Sequence, residues 1–337
     1  MKIVVFGPHR RVGALDGDRV IDLNHAYARY LRERRDAPNP QAQADEVVPT
    51  DLERFITLGA RALDGAREAL AHVGGNGPEA QPRSSVKLHA PSIYRPRIAC
   101  AGGNYALHSA GAQEARTGQK ADVDEVYRQS RAAGPWGFWK INAVLAGDGD
   151  DVIYPARASV FDYEGEAVVV VGKQASDIPA ARASEVIWGV TLLNDWSIRN
   201  DMGPNRVLNF NLPKNFDTSV SVGPCIAVGE VDPQDILVET RVNRQVRQHY
   251  RTSEMTFSFA EFLEFLSRDF TFLPGDLLAG GTGAGTAMDS SRGGSTELFL
   301  KVGDTVEVSS PEIGTLNNRV VAKGAAVGAA SLAAAAR

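Results

Sequence analysis

Asp162-Tyr163-Glu164-Gly165-Glu166 runs directly into Ala167-Val168-Val169-Val170-Val171-Gly172. Side chains on a strand alternate between faces, so Glu164 and Glu166 point the same way as Val168 and Val170. Two carboxylates thus share a face with core valines. An unpaired carboxylate is costly to bury, so something must hold the pair. A divalent cation does so, because hard cations such as Mg²⁺ take carboxylate oxygens. The alternative is a strand end that protrudes into water and leaves both glutamates solvated.

Outward from this strand the chain reads as many short β-branched runs separated by turns, with glycine at 33 positions. Residues 3–6, 11–15 and 19–23 form a meander with Asp16-Gly17 as one turn, and the polar, proline-containing stretch 34–50 reads as a loop. Thr50-Asp-Leu-Glu53 is a capping box that opens a helix ending at Gly74-Gly75. Residues 1–90 are therefore expected to form a small α+β N-terminal domain, with 79–90 as a polar linker. From Ile98 onward strands are expected around 152–154, 166–171, 187–193, 219–228 and 236–242, with Asn243-Arg244 as a hairpin turn before 245–251. Ser258-Phe-Ala-Glu261 opens a second helix. The charged, alanine-rich segment 104–134 carries few core-sized residues and is expected to be a helical cover. The alanine-rich tail 324–337 is expected to be poorly ordered.

The 337 residues are 43% hydrophobic and 23% charged, the composition of a globular protein. A net charge of −5 without a basic block argues against a nucleic-acid surface. No apolar run reaches the length of a membrane span or signal peptide, so a cytoplasmic protein is expected. Cys100 and Cys225 lie far apart and in no metal-type spacing, which reads as two reduced thiols.

Further polar residues punctuate the strands. Asp195 closes the apolar run 186–195 and is placed to complete a three-carboxylate site, or else to cap the next turn. Arg199 could carry a substrate anion or pair with Asp195. Lys214 lies in an irregular segment, where a solvated lysine is the default. Gly280 to Gly285 allow close backbone approach to an anion, but no helix pattern or P-loop lysine follows. His108 opens the cover segment.

Taken in order, Gly103-Asn-Tyr-x-x-His108, Tyr163-Glu-Gly-Glu166, Asn194-Asp-Trp-Ser-x-Arg199, Lys214-x-Phe-Asp217 and Gly281-Thr-x-x-Gly285 resemble the fumarylacetoacetate hydrolase family. The hairpin 242–248 and Phe272-Leu-Pro-Gly-Asp276 are similar to it as well. The resemblance spans roughly 95–322 and implies an α+β, mainly β fold: a mixed β-sandwich roll over 95–323 behind the small N-terminal domain, usually as a homodimer. It implies that Glu164, Glu166 and Asp195 bind a divalent cation, with Mg²⁺ first and Mn²⁺ or Ca²⁺ as alternatives. Arg199, Lys214 and Thr282 would face substrate oxygens, with Tyr105 and Lys140 also in the substrate set. Three positions depart from the family pattern. Gly111 stands where many members have a glutamate that orients the histidine, so Glu297 is expected to take that role, with Glu114 second. Met202 replaces a frequent glutamine, and Gly283 replaces the proline of the glycine-rich turn, which is expected to loosen it.

The implied chemistry is cleavage of a C–C bond in an acylpyruvate or other 1,3-dicarbonyl. His108 would activate water as a general base, and Lys214 and Arg199 would meet the enolate charge. The alternative on the same site is a 2-oxoacid decarboxylase or a sugar-acid lyase or dehydratase. A metal-dependent nuclease is disfavoured by the acidic balance. A non-catalytic scaffold is expected to have lost one of Glu164, Glu166, Asp195 or Lys214, and all four are present.

Overall fold

The computed structural model describes residues 1–74, 77–141, 144–200, 211–229, 231–291 and 295–324. Met202 and the alanine-rich stretch 325–337 lie outside the described residues.

Gly165–Val171 is buried along its whole length, which is what a run of four valines between two neighbouring strands requires. It pairs antiparallel with Ile187–Asp195 on one side and Leu277–Ala279 on the other. Among the described residues it sits near the middle of an 11-stranded sheet. From one edge the order is Ala80–Pro82, Arg19–Asp22, Arg11–Asp16, Lys2–Phe6, Val220–Ala227, Ile187–Asp195, Gly165–Val171, Leu277–Ala279, Ile98–Ala101 and Gly137–Lys140. Leu88–His89 pairs with Lys2–Phe6 beside this path. The pairing of Leu277–Ala279 with Ile98–Ala101 is parallel, so the sheet is mixed. A second sheet runs Gln245–Arg251, Leu237–Val242, Thr305–Ser310, Gly314–Ala322 and Asp151–Tyr154. Its first hairpin turns at Asn243 and Arg244, both with positive φ, as a tight right-twisted hairpin demands.

Alternation along the central strand divides the core. Val168 and Val170 pack with Leu23, Phe55 and Leu63 of the N-terminal helices, while Val169 packs with Val238, Val308 and Phe262 on the other face. The fold is thus α+β, built as packed mixed sheets with helices.

Several local expectations change. The stretch 34–50 contains the helix Pro40–Val47, with its proline in the first turn, where a missing N–H does no harm. The helix after residue 50 is capped by Asp51, whose carboxylate accepts from Arg54 N–H, and Gly59 divides it into Leu52–Leu58 and Ala60–Val73. The expected linker 79–90 supplies two sheet strands, Ala80–Pro82 and Leu88–His89. Lys2–Phe6 pairs with Val220–Ala227, so the sheet continues without a break from the N-terminal segment into the segment that carries the site. The cover segment forms two helices, Ala106–Thr117 and Val123–Ala133.

Candidate active site

Strand register brings the acids together. Gly165 pairs with Asn194 and Glu166 with Leu193, so Glu164, Glu166 and Asp195 converge where two central strands end. Asn194 Oδ1 accepts from Glu164 N–H at 2.9 Å, and Glu164 C=O accepts from Asp195 N–H at 2.8 Å, which pins that corner. One carboxylate oxygen from each of the three lies within 4.8 Å of the others, and all three residues are buried.

Cations surround the cluster unevenly. Lys214, at the end of the short helix Asn211–Lys214, donates to Glu164 Oε2 at 2.5 Å and to Asp195 Oδ2 at 2.8 Å. The Arg199 guanidinium donates from Nε to Asp162 Oδ2 at 2.9 Å and from Nη2 to Glu164 Oε1 at 2.5 Å. Lys140, with no exposure, pairs with Asp195 Oδ1 and donates to Ser219 C=O at 2.9 Å. Glu166 accepts one hydrogen bond, from Gly281 N–H at 3.0 Å, and pairs with no cation among the described residues.

The electrostatics follow. Burial pushes Glu164 up, but Lys214 and Arg199 outweigh it and hold its carboxyl below the usual carboxylate range. For Glu166 the balance runs the other way: burial, then the Asp195 and Glu164 charges, raise it well above that range, and Lys214 and the Gly281 N–H offset them only in part. Burial lowers Lys214, and the Asp195 and Glu164 carboxylates more than restore it, so the ammonium stays charged. Three convergent carboxylates, one of them without a cation, form an oxygen-only donor set that fits a hard divalent ion. Glu164, Glu166 and Asp195 would hold it.

The base lies across the cavity. His108 is on the first turn of Ala106–Thr117, and Asn104 ties that turn down. The Asn104 amide donates to the Phe257 and Gly280 carbonyls and accepts from Phe257 N–H. His108 Nδ1 is 2.7 Å from Asp289 Oδ2. A carboxylate only accepts, so Nδ1 carries the hydrogen and Nε2 is left for chemistry. Asp289 sits on the short helix Ala287–Ser290, and both its oxygens also accept from Gly285 N–H at 3.1 Å.

Glu297, the expected partner of His108, is exposed and makes no hydrogen bond to it. Glu114 instead accepts from Ala121 N–H and closes the turn between the two cover helices. The sequence did hold a signal for Asp289: Thr286-x-x-Asp289 is a helix-start pattern immediately after the glycine-rich turn, and Thr286 Oγ1 accepts from Asp289 N–H. Gly111 now has a reason. A Cβ there would stand 2.9 Å from Asp289 Cβ and 3.1 Å from its carbonyl oxygen, so the missing side chain makes room for the acid that replaces the absent glutamate.

His108, Glu164, Glu166, Asp195, Arg199, Lys214 and Thr282 all line one cavity of about 770 Å³, roofed by Gln113, Arg116 and Gln129 of the two cover helices. Thr282 lines it with its hydroxyl already engaged, donating to Gly165 C=O at 2.9 Å and accepting from Gln248 Nε2 at 2.7 Å. Gly283 does not loosen the turn. A Cβ there would fall 2.3 Å from the Tyr250 ring, and Gln248 Nε2 donates to its carbonyl, so the loop is clamped. Two expected substrate residues, Tyr105 and Lys140, do not line this cavity. Tyr105 is buried edge-on against Tyr250 with ring centroids 4.8 Å apart, and Lys140 is spent on Asp195.

Residues 97–321 match the family described as Fumarylacetoacetate (FAA) hydrolase C-terminal. Oxaloacetate tautomerase YisK of Bacillus subtilis is 35% identical over 242 residues, covering 70% of this chain and 74% of that protein. The structure of a fumarylacetoacetate hydrolase from Exiguobacterium antarcticum superposes with a TM-score of 0.72 at 26% identity, over 96% of this chain and 99% of that one. A 2-hydroxyhepta-2,4-diene-1,7-dioate isomerase from Mycobacterium marinum superposes at 0.64 with 27% identity, over 96% and 99%. With a match that takes in both ends of the cavity, the chain belongs to the fumarylacetoacetate hydrolase family.

Proposed function

We propose that the protein is a divalent-metal enzyme that interconverts the keto and enol forms of a small 2-oxo dicarboxylate of the oxaloacetate type. One observation carries this reading. A histidine with its Nδ1 fixed by Asp289 shares a cavity with a buried carboxylate cluster and two cations, Lys214 and Arg199. The similarity to a protein named as an oxaloacetate tautomerase supports it. Glu164, Glu166 and Asp195 would hold a divalent ion, which when bound would supply Lewis-acid polarisation of a carbonyl. His108 Nε2 removes a proton from the carbon beside that carbonyl. Asp289 stabilises the imidazolium that results. Lys214 and Arg199 add fixed positive charge where the oxygen gains negative charge, within a site the cover helices shield from water. One proton leaves carbon and one is delivered to oxygen, so the sum is an isomerisation. Mg²⁺ is the expected ion, with Mn²⁺ or Ca²⁺ as alternatives, and a homodimer is the expected assembly.

A second reading, hydrolysis of an acylpyruvate C–C bond, is favoured by the cavity, whose 770 Å³ leaves room for a water and an acyl group beside His108. The solved fumarylacetoacetate hydrolase at 26% identity supports it. The same imidazole would then take its proton from water. The experiment is proton NMR of the metal-loaded protein with oxaloacetate, and separately with acylpyruvates. Faster keto–enol exchange than in buffer, without new carbon fragments, supports the tautomerase. Acid fragments from acylpyruvates, with oxaloacetate exchange at the buffer rate, would replace it with the hydrolase.

A further inference from the structure

The base and the carboxylate cluster come from distant parts of the chain, yet one buried acid is linked to each through a neighbour: to the cluster through Arg199 and to the base through the backbone just before Asp289. Asp162 is fully buried and is not among the residues that line the cavity. Its Oδ1 accepts from Tyr163 N–H and Ala287 N–H, each at 2.9 Å. Its Oδ2 accepts from Met288 N–H at 3.1 Å and from Arg199 Nε at 2.9 Å. The same guanidinium reaches Glu164 with Nη2. Residues 287 and 288 immediately precede Asp289, the partner of His108.

We propose that Asp162 is a positioning residue that sets the His108–Asp289 pair against the Glu164 side of the carboxylate cluster. It touches no substrate and acts through two others. Toward the cluster it orients Arg199, whose fork then holds Glu164. Toward the base it grips the backbone from which Asp289 projects. Residues 162 and 164 lie two apart on an extended segment, so one planar guanidinium can span them, and a shift of residues 287–288 must disturb that fork. Every group that meets Asp162 is a donor. An amide in its place would set a donor against a donor whichever way it turned, so the site requires a carboxylate.

This inference rests on His108 being the base, and its test separates the two claims. The signal of the His108 Nδ1–H proton, read by ¹⁵N-edited NMR of histidine-labelled protein, needs no substrate. In Asp162→Asn this signal should move and exchange faster with water, while calorimetry finds Mn²⁺ still bound. Turnover should fall roughly 10–10²-fold in kcat with KM little changed, because a misplaced base costs on that order. In a His108→Ala background the same substitution should cost almost nothing further, since the residues act as one unit. An unchanged Nδ1–H signal, or the same fold-loss with and without His108, would overturn the assignment. Should Asp162→Asn fail to fold, Arg199→Lys keeps Asp162 on its backbone donors but removes the fork. It should shift the same signal, and an unmoved signal there would equally overturn the proposal. Full turnover in His108→Ala would sink the base reading alone.

Discussion

His108 and Asp289, 181 positions apart in sequence, meet through Nδ1 and Oδ2 at 2.7 Å. The contact exists because Gly111, one turn beyond His108, has no side chain to hold the Ala287–Ser290 helix away.

The first prediction concerns that pair. A positioned general base contributes on the order of 10²–10⁴-fold, so His108→Ala should lower kcat by about that factor. Asp289→Asn should reproduce much of the loss, and the double variant should add little. Glu297→Gln should behave as wild type, because Glu297 is exposed and makes no bond to His108. Steady-state kinetics of the four proteins decide it; a large loss in Glu297→Gln with none in Asp289→Asn would reverse the assignment.

The carboxylate cluster should respond to metal asymmetrically. Burial and two neighbouring negative charges push Glu166 up, so Glu166→Gln relieves repulsion in the metal-free protein and should leave its melting temperature equal or higher. The wild type should gain about 2.7 kcal/mol of stability at a Mn²⁺ concentration 100 times Kd. The variant should gain almost none. Melting curves with and without Mn²⁺, and after EDTA, measure both effects.

Lys140 should matter for stability rather than for substrate affinity. Its ammonium is wholly buried against Asp195, and breaking a buried pair typically costs about 3–5 kcal/mol. Lys140→Met should therefore lower the urea midpoint sharply, with KM unchanged where the protein remains folded. A raised KM at unaltered stability would return Lys140 to the substrate-binding set.

The cover helices should move. Val123–Ala133 has no buried residue, and Arg131 attaches it to Glu261 and to the Thr256 carbonyl. Its amides should exchange with deuterium far faster than those of Gly165–Val171, and oxalate with Mg²⁺ should slow them. Exchange as slow as in the central strand, unaffected by oxalate, would mean a fixed roof.

Much of the site was legible because strand periodicity is strict. Once Val168 and Val170 face the core, Glu166 shares their face; Asp195, which closes an apolar run, could equally have capped the next turn, and the family resemblance chose between the two. Ion-pair geometry was not legible. Lys140 and Lys214 look alike in sequence, and only the fold sends one into the back of Asp195 and the other between Asp195 and Glu164. Helix boundaries erred where neighbouring residues competed, as at Thr50 and Asp51, either of which can cap. The linker expectation failed because Leu88–His89 is recruited by Lys2–Phe6, a partner that local composition does not announce. Asp289 was missed for a similar reason: nothing near it in sequence refers to residue 108.

The pairing of Lys2–Phe6 with Val220–Ala227 also sets a timetable for synthesis. Met1 and Val228, joined by a hydrogen bond, are 227 positions apart. At roughly 5–20 residues per second, the first strand waits on the order of tens of seconds for its neighbour to leave the ribosome. Leu88–His89 covers the Val5–Phe6 end of that edge early, but the Lys2–Ile3 end stays unpaired throughout the interval. The nascent chain is therefore exposed to misassociation until Val220–Ala227 has been made, and by then all three residues of the carboxylate cluster have already been synthesised.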